Sequence, residues 1–247
     1  MAFQQQTTAP TPTLVALRKE IQASANPKKA KILAGFFKTG KGEYGEGDVF
    51  VGITVPTARG IARRYSALSL SEINKTLASK LHEERLIGLL ILVELYNRGD
   101  AEAQLKIFRF YLANMKRANN WDLVDLSAHK IVGRHLLETG ATIARLKTFA
   151  RSHNLWIRRV AIVATFAFLR AGKFSPTFRV AELLLRDKQD LIHKATGWML
   201  REVGKRNKSV LTSWLKPRYR KMPRTMLRYA IERFPKSERK RYLAGKI

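Results

Sequence analysis

Helix starts recur along this 247-residue chain at a nearly constant interval, and that interval restricts the fold more than any other feature. Apolar periodicity and capping residues set starts near His82, Asn120, Asn154, Asp190 and Arg224, separated by 38, 34, 36 and 34 residues. Each interval has room for a second, shorter helix. One such helical hairpin cannot bury its apolar face alone, so neighbours must stack into a solenoid. The long helices also share local sequence, since Trp156-Ile157-Arg158-Arg159-Val160-Ala161 aligns with Leu191-Ile192-His193-Lys194-Ala195-Thr196.

The remaining punctuation agrees. Leu14, Leu17 and Ile21 form an apolar stripe, and Asn26-Pro27 ends that helix and begins the next. Ser69-Leu70-Ser71-Glu72 reads as a capping box. Gly99-Asp100, Gly140 and Gly172 fall where helices should end, and Ser175-Pro176 combines an N-cap with proline at the first helical position. The expected fold is all-α, with HEAT-like hairpin repeats in a curved α-solenoid; the tetratricopeptide pattern is absent. It occupies residues 13–247 as a single domain, after a polar, Thr- and Pro-containing leader at 1–12 that should be disordered. One insert breaks the pattern. Thr39 to Asp48 holds four glycines in ten residues, and Val49-Phe50-Val51-Gly52-Ile53 follows, so 39–53 is expected as a small β-hairpin or a Gly-rich ordered loop, with a flexible linker as the alternative.

Charge narrows the partner. Lys and Arg number 47 against 19 Asp and Glu, a formal net charge of +28. Self-repulsion at that level opposes compaction, whereas a polyanion offsets it and releases counterions on binding. Nucleic acid fits this balance. Anionic membrane is the competing polyanion, but no uninterrupted apolar run reaches the roughly 20 residues a spanning helix needs. The opening MAFQQQTTAPTPT lacks the basic and apolar regions of a secretory signal. With no cysteine, disulfides, zinc fingers and thiol chemistry are excluded, which suits a cytoplasmic protein. A monomer without cofactor or metal is expected.

Candidate contacts gather at the helix starts. Trp121 and Asp125 are four apart and share a helix face. Asp122 in the first turn suits the helix dipole. Asp125 lies in an apolar run and would be costly to bury without a partner, so a structural salt bridge and a functional carboxylate both stay open. Arg158 and Arg159 follow Trp156, and Lys194 shares a face with Trp198. On a common inner wall these would form a strip of rings and cations suited to sugars and phosphates; the alternative is that the tryptophans are core. Lys41 in the insert is a further candidate contact. Residues 201–247 hold 16 Lys or Arg against Glu202, Glu232 and Glu238, and their run Lys216-Pro217-Arg218-Tyr219-Arg220-Lys221 places Arg218, Arg220 and Lys221 for phosphate contact. The sequence contains no G-x-x-x-x-G-K-[ST], H-E-x-x-H or G-x-S-x-G motif.

Five segments together resemble the DNA alkylation repair family, the AlkD-like HEAT-repeat DNA glycosylases. They are Asn26-Pro27-Lys28-Lys29-Ala30, Gly52-Ile53-Thr54-Val55-Pro56, Trp121-Asp122-Leu123-Val124-Asp125, Asn154-Leu155-Trp156-Ile157-Arg158-Arg159 and Gly197-Trp198-Met199-Leu200-Arg201-Glu202. The resemblance spans about Leu14 to Phe234. It implies a groove that holds double-stranded DNA and removes N3- or N7-alkylated purines. It further implies Asp125 as the catalytic carboxylate, Trp121 and Trp198 packed on the deoxyribose backbone, and Arg159 on the phosphates. The sequence departs from the family in two places. A family tyrosine is replaced by Phe36 or Phe37, and the glycine-rich insert resembles the hairpin of a branch whose members bind branched DNA without excising bases. Non-catalytic binding of branched or damaged DNA, and a scaffold for an acidic protein, are the alternative functions.

Overall fold

The computed structural model describes residues 12–141 and 143–247, and the expected leader lies outside them except for its last residue. The described chain is helical, with no strand among those residues. It divides into two compact units, up to Arg98 and from Gly99 to Ile247.

The first unit contains α1 (Leu14–Ala23), α2 (Pro27–Phe36), α3 (Val55–Arg64), α4 (Leu70–Leu77) and α5 (His82–Arg98). Local caps fix the starts. The Asn26 side chain accepts from the Lys29 amide, and Ser69 and Glu72 form the reciprocal capping box. α5 packs against α3 and α4, and its residues from His82 to Val93 are buried. Such a run is apolar all round except at its first turn, His82-Glu83-Glu84-Arg85, whose buried charges need partners.

Arg18 and Ser79 supply them for Glu84, and the glycine-rich insert for His82, Glu83 and Arg85. Residues 40–47 fold as a series of bends and turns, and Val49 makes one isolated bridge to Leu81, so the loop alternative describes the insert and the hairpin does not form. Glu83 accepts from the amides of Val51, Gly52 and Ile53 at 2.8–3.2 Å. Gly52 is required here: its φ is +89°, and a Cβ would collide with the Asn26 carbonyl. Asp48 accepts from Arg85 at 2.5 Å and pairs with His82 at 3.0 Å. Phe37 and Phe50 stack together at 4.9 Å, with the Phe50 ring 4.4 Å from His82. Of the two phenylalanines weighed against the family tyrosine, Phe37 is therefore core and Phe36 is exposed.

The second unit contains α6 (Ala101–Asn114), α7 (Trp121–Ala128), α8 (Arg134–Glu138), α9 (Ala144–Ala150), α10 (Leu155–Arg170), α11 (Ser175–Leu184), α12 (Asp190–Arg206), α13 (Lys208–Leu215), α14 (Arg224–Ala230) and α15 (Lys236–Leu243). One row of helices runs α7–α8, α10, α12, α14, each packed on the next, while α9 and α11 pack beneath α10 and α11 and α13 beneath α12. Asn120 and Asn154 cap α7 and α10 with their side chains, at the expected starts. Ser175 is a correction: it is the first helical residue, and no side chain caps that end. Between α7 and α8 the chain winds as a π-helix over His129–Gly133. Gly133 lets this segment approach α10, because a Cβ there would collide with the Ala164 carbonyl.

Candidate functional site

The first turn of α7 sets the site. Asn120 is fully buried and its side-chain oxygen accepts from the Trp121 amide at 2.8 Å, which fixes where the helix begins. Trp121 is half-buried, and one turn on, Asp125 points toward α10. There Arg159 donates through Nε to Asp125 Oδ1 at 2.9 Å and through Nη2 to Oδ2 at 2.8 Å. Its remaining nitrogen, Nη1, donates to the Leu191 carbonyl in the first turn of α12 at 2.7 Å. One guanidinium thus ties together three helices of the row.

The pair is buried but not closed. The Arg159 side chain is 6% exposed and that of Asp125 is 16% exposed. Loss of solvent pushes the Asp125 carboxyl above its ordinary value; the Arg159 guanidinium opposes the shift without cancelling it. A carboxylate held at fixed geometry in a place of reduced solvation is a strong local source of negative potential. The backbone behind it is also pinned, since the His129 ring nitrogen donates to the Asp125 carbonyl at 3.1 Å at the start of the π segment.

Other expected residues are placed differently. Trp198 is half-buried on α12, its ring 6.0 Å from Phe166, which lies about 10 Å along α10 from Arg159 at ~1.5 Å per residue. Trp156 is 8% exposed and belongs to the core, which removes it from the expected strip. Arg158 binds Asp187 at 2.6 Å and the carbonyls of Ser152 and His153, fastening the turn before α10 to the turn before α12. Lys194 pairs with Asp190 at 2.7 Å on the surface of α12. Arg218 pairs with Glu182 and Arg220 donates to Tyr219 and to the Gly245 carbonyl, both away from Asp125 in sequence and in partners. Lys41 and Lys221 are exposed. Sequence reasoning missed the Leu191 carbonyl and the π segment. Neither carries a local signal: one is a main-chain atom, the other a change of helical pitch.

Among the described residues, no group of three or more His, Cys, Asp or Glu side chains could hold a metal ion. None of the described helices is long and apolar enough to cross a membrane.

These features define a helical protein that carries a partly open carboxylate–guanidinium pair at a junction of three helices. The sequence profile of a family described as DNA alkylation repair enzyme matches residues 17–234, and the chain belongs to that family. Among solved structures it is similar to a predicted DNA alkylation repair enzyme from Enterococcus faecalis, with a TM-score of 0.67 at 17% identity, over 86% of this chain and 98% of that one. That likeness concerns the fold. Comparison with curated proteins found no match.

Proposed function

We propose that this chain is a monomeric, cytoplasmic DNA glycosylase of the 3-methyladenine and 7-methylguanine type, which opens base excision repair by hydrolysing the N-glycosidic bond of N3- or N7-alkylated purines in duplex DNA. HEAT-like pairing of helices would supply the scaffold, and the row α7, α10, α12 its working face. The observation that carries the reading is Asp125, locked by Arg159 and still reaching solvent beside half-buried Trp121.

An alkylated purine is cationic. When its bond to C1′ breaks, the electron pair goes to the purine and neutralises it, while positive charge develops on the sugar. A fixed carboxylate near C1′ stabilises that charge, and water adds its oxygen to C1′ and gives up a proton. Arg159 keeps Asp125 oriented; with its nitrogens engaged inside the protein, it acts as a positioning residue rather than a free phosphate contact. Trp121 and Trp198 would pack along the deoxyribose backbone, and the base need not leave the stack.

A second reading rests on the same atoms. Both Asp125 oxygens accept from Arg159, so the pair could serve only to join helices in a non-catalytic binder of branched or damaged DNA. The test measures release of 7-methylguanine and 3-methyladenine from methylated duplex by wild type and Asp125→Asn. Excision should fall about 100- to 1000-fold in the variant, the scale of losing one preorganised electrostatic group. Absence of release by wild type, with junction binding that survives the substitution, would favour the binder.

A further inference from the structure

A cleft of about 400 Å³ opens between α9, α11 and the end of α13, and no residue of the carboxylate site lines it. Its aromatic wall is Phe178 and Trp214, stacked at 5.3 Å with planes 10° apart and both half-buried. The Arg218 guanidinium stands 4.9 Å from the Trp214 ring centre, held there by Glu182 at 2.6 Å. Glu182 is the only acid in the lining, against Lys147, Arg151, Arg179 and Arg218, a net charge of +3. Arg218 therefore takes up the one carboxylate, and three cations face the opening without an acid in the cleft to answer them.

Like charges gathered on one surface attract an anion, and half-exposed rings beside them favour one that carries a flat apolar part. A nucleotide has that composition: a base to stack on the rings and phosphates for the cations. Paired bases stack on each other inside a duplex and cannot offer a face, so the strand must be unpaired. The volume falls at the small end of ligand sites, roughly 300–1000 Å³, which suits one such unit.

We propose that this cleft seats one unpaired nucleotide of a single-stranded DNA segment, its base against the solvent-reaching part of the Trp214–Phe178 stack and its flanking phosphates on Lys147, Arg151 and Arg179. The site stands on the cleft alone and does not depend on excision at Asp125. Its role would be to retain a displaced or unpaired strand away from the duplex-binding face.

The test titrates the full chain with a fluorescein-labelled oligothymidine and with a blunt duplex of equal length, over a range of salt. Arg151→Ala/Arg179→Ala should weaken the oligothymidine at least tenfold while duplex affinity stays within about twofold. The plot of log affinity against log salt should become shallower by about 1.4, two phosphates at roughly 0.7 each. Trp214→Ala should weaken the same complex about 5- to 100-fold, and Trp214→Phe, which keeps a stacking face and the fold, should restore most of it. Equal losses on both DNAs, or an unchanged salt slope, would overturn the site. Polyglutamate competing as well as oligothymidine would overturn the nucleotide assignment, and thymidine monophosphate saturating the cleft as tightly as the strand would overturn the strand. Failure of the proposed glycosylase reading would appear in base release and duplex binding, which these readouts leave separate.

Discussion

Both compact units bury a carboxylate against an arginine, Asp48 with Arg85 in one and Asp125 with Arg159 in the other, and the surroundings of the two pairs differ in kind. Asp48 is 4% exposed and is enclosed by His82, itself stacked on Phe50. Arg85 also donates to the carbonyls of Ser79 and Lys80, so the pair closes on the turn before α5 and holds the glycine-rich insert down. Asp125 is 16% exposed, and its arginine spends its third nitrogen on the next helix of the row. Enclosure turns the first pair into a staple. Partial opening leaves the second, which is bidentate where the first is held through a single nitrogen, with a route to solvent. An ion pair thus says little about role until its access to solvent is known, because burial without access gives only a desolvation cost to be balanced.

Deleting one partner separates the two. Asp48→Ala strands Arg85 and should destabilise the protein by about 3–5 kcal/mol, the usual cost of leaving a buried charge uncompensated. Urea denaturation of the full chain reads this, and the corresponding Asp125→Ala should cost less because its pair is more open. An equal or larger loss at Asp125 would erase the distinction and move that pair to the structural side.

Acid should act in opposite senses on the function and the stability contributed by Asp125. Burial raises its carboxyl in the folded protein above the unfolded value, so between those two values the folded state binds more protons. As pH falls through the raised value, this group's contribution to stability therefore increases while its negative charge disappears. Base release should decline about tenfold per pH unit on the acid side, beginning above the ordinary range for aspartate, with no unfolding in the same interval. A pH–rate profile beside circular dichroism at each pH checks it. Activity that persists down to the ordinary aspartate range would remove the burial effect from the argument.

The contrast between local and distant determinants also explains what could be read from the sequence. Helix starts at Asn26, Ser69, Asn120 and Asn154 are legible because a capping side chain bonds to an amide two or three residues ahead, or in Asn120 one. Ser175 misleads for the same reason: the residue type is right, yet the helix starts without using it. Asp125 stands out as an acid in an apolar run, and its partner could be guessed but not its bidentate geometry. An ordered loop was among the expectations for the insert, but the contacts that order it were not legible, since Glu83 reaches amides about thirty residues away. Nor was the burial of Trp156, because a helix start marks where a turn begins and not which side of it meets the next helix.

The smallest effect tests whether the site depends on the exact start of α10 or only on its own bonds. Asn154 caps that helix, accepting from the amides of Trp156 and Ile157 at 2.9 and 3.1 Å, and Arg159 follows little more than a turn later. Asn154→Ala removes the one oxygen that accepts both bonds and should cost about 1 kcal/mol, within a usual range of 0.5–2. For a chain of this size that corresponds to a fall of roughly 2–4 °C in melting temperature. Base release should drop less than threefold, because Arg159 stays fastened at three points, to both oxygens of Asp125 and to the Leu191 carbonyl. Asn154→Asp, which keeps an acceptor and adds negative charge at the helix N-terminus, should restore the melting temperature. A loss of release as large as that of Asp125→Asn would mean that the position of the helix, and not the ion pair bridging to it, sets the carboxylate in place.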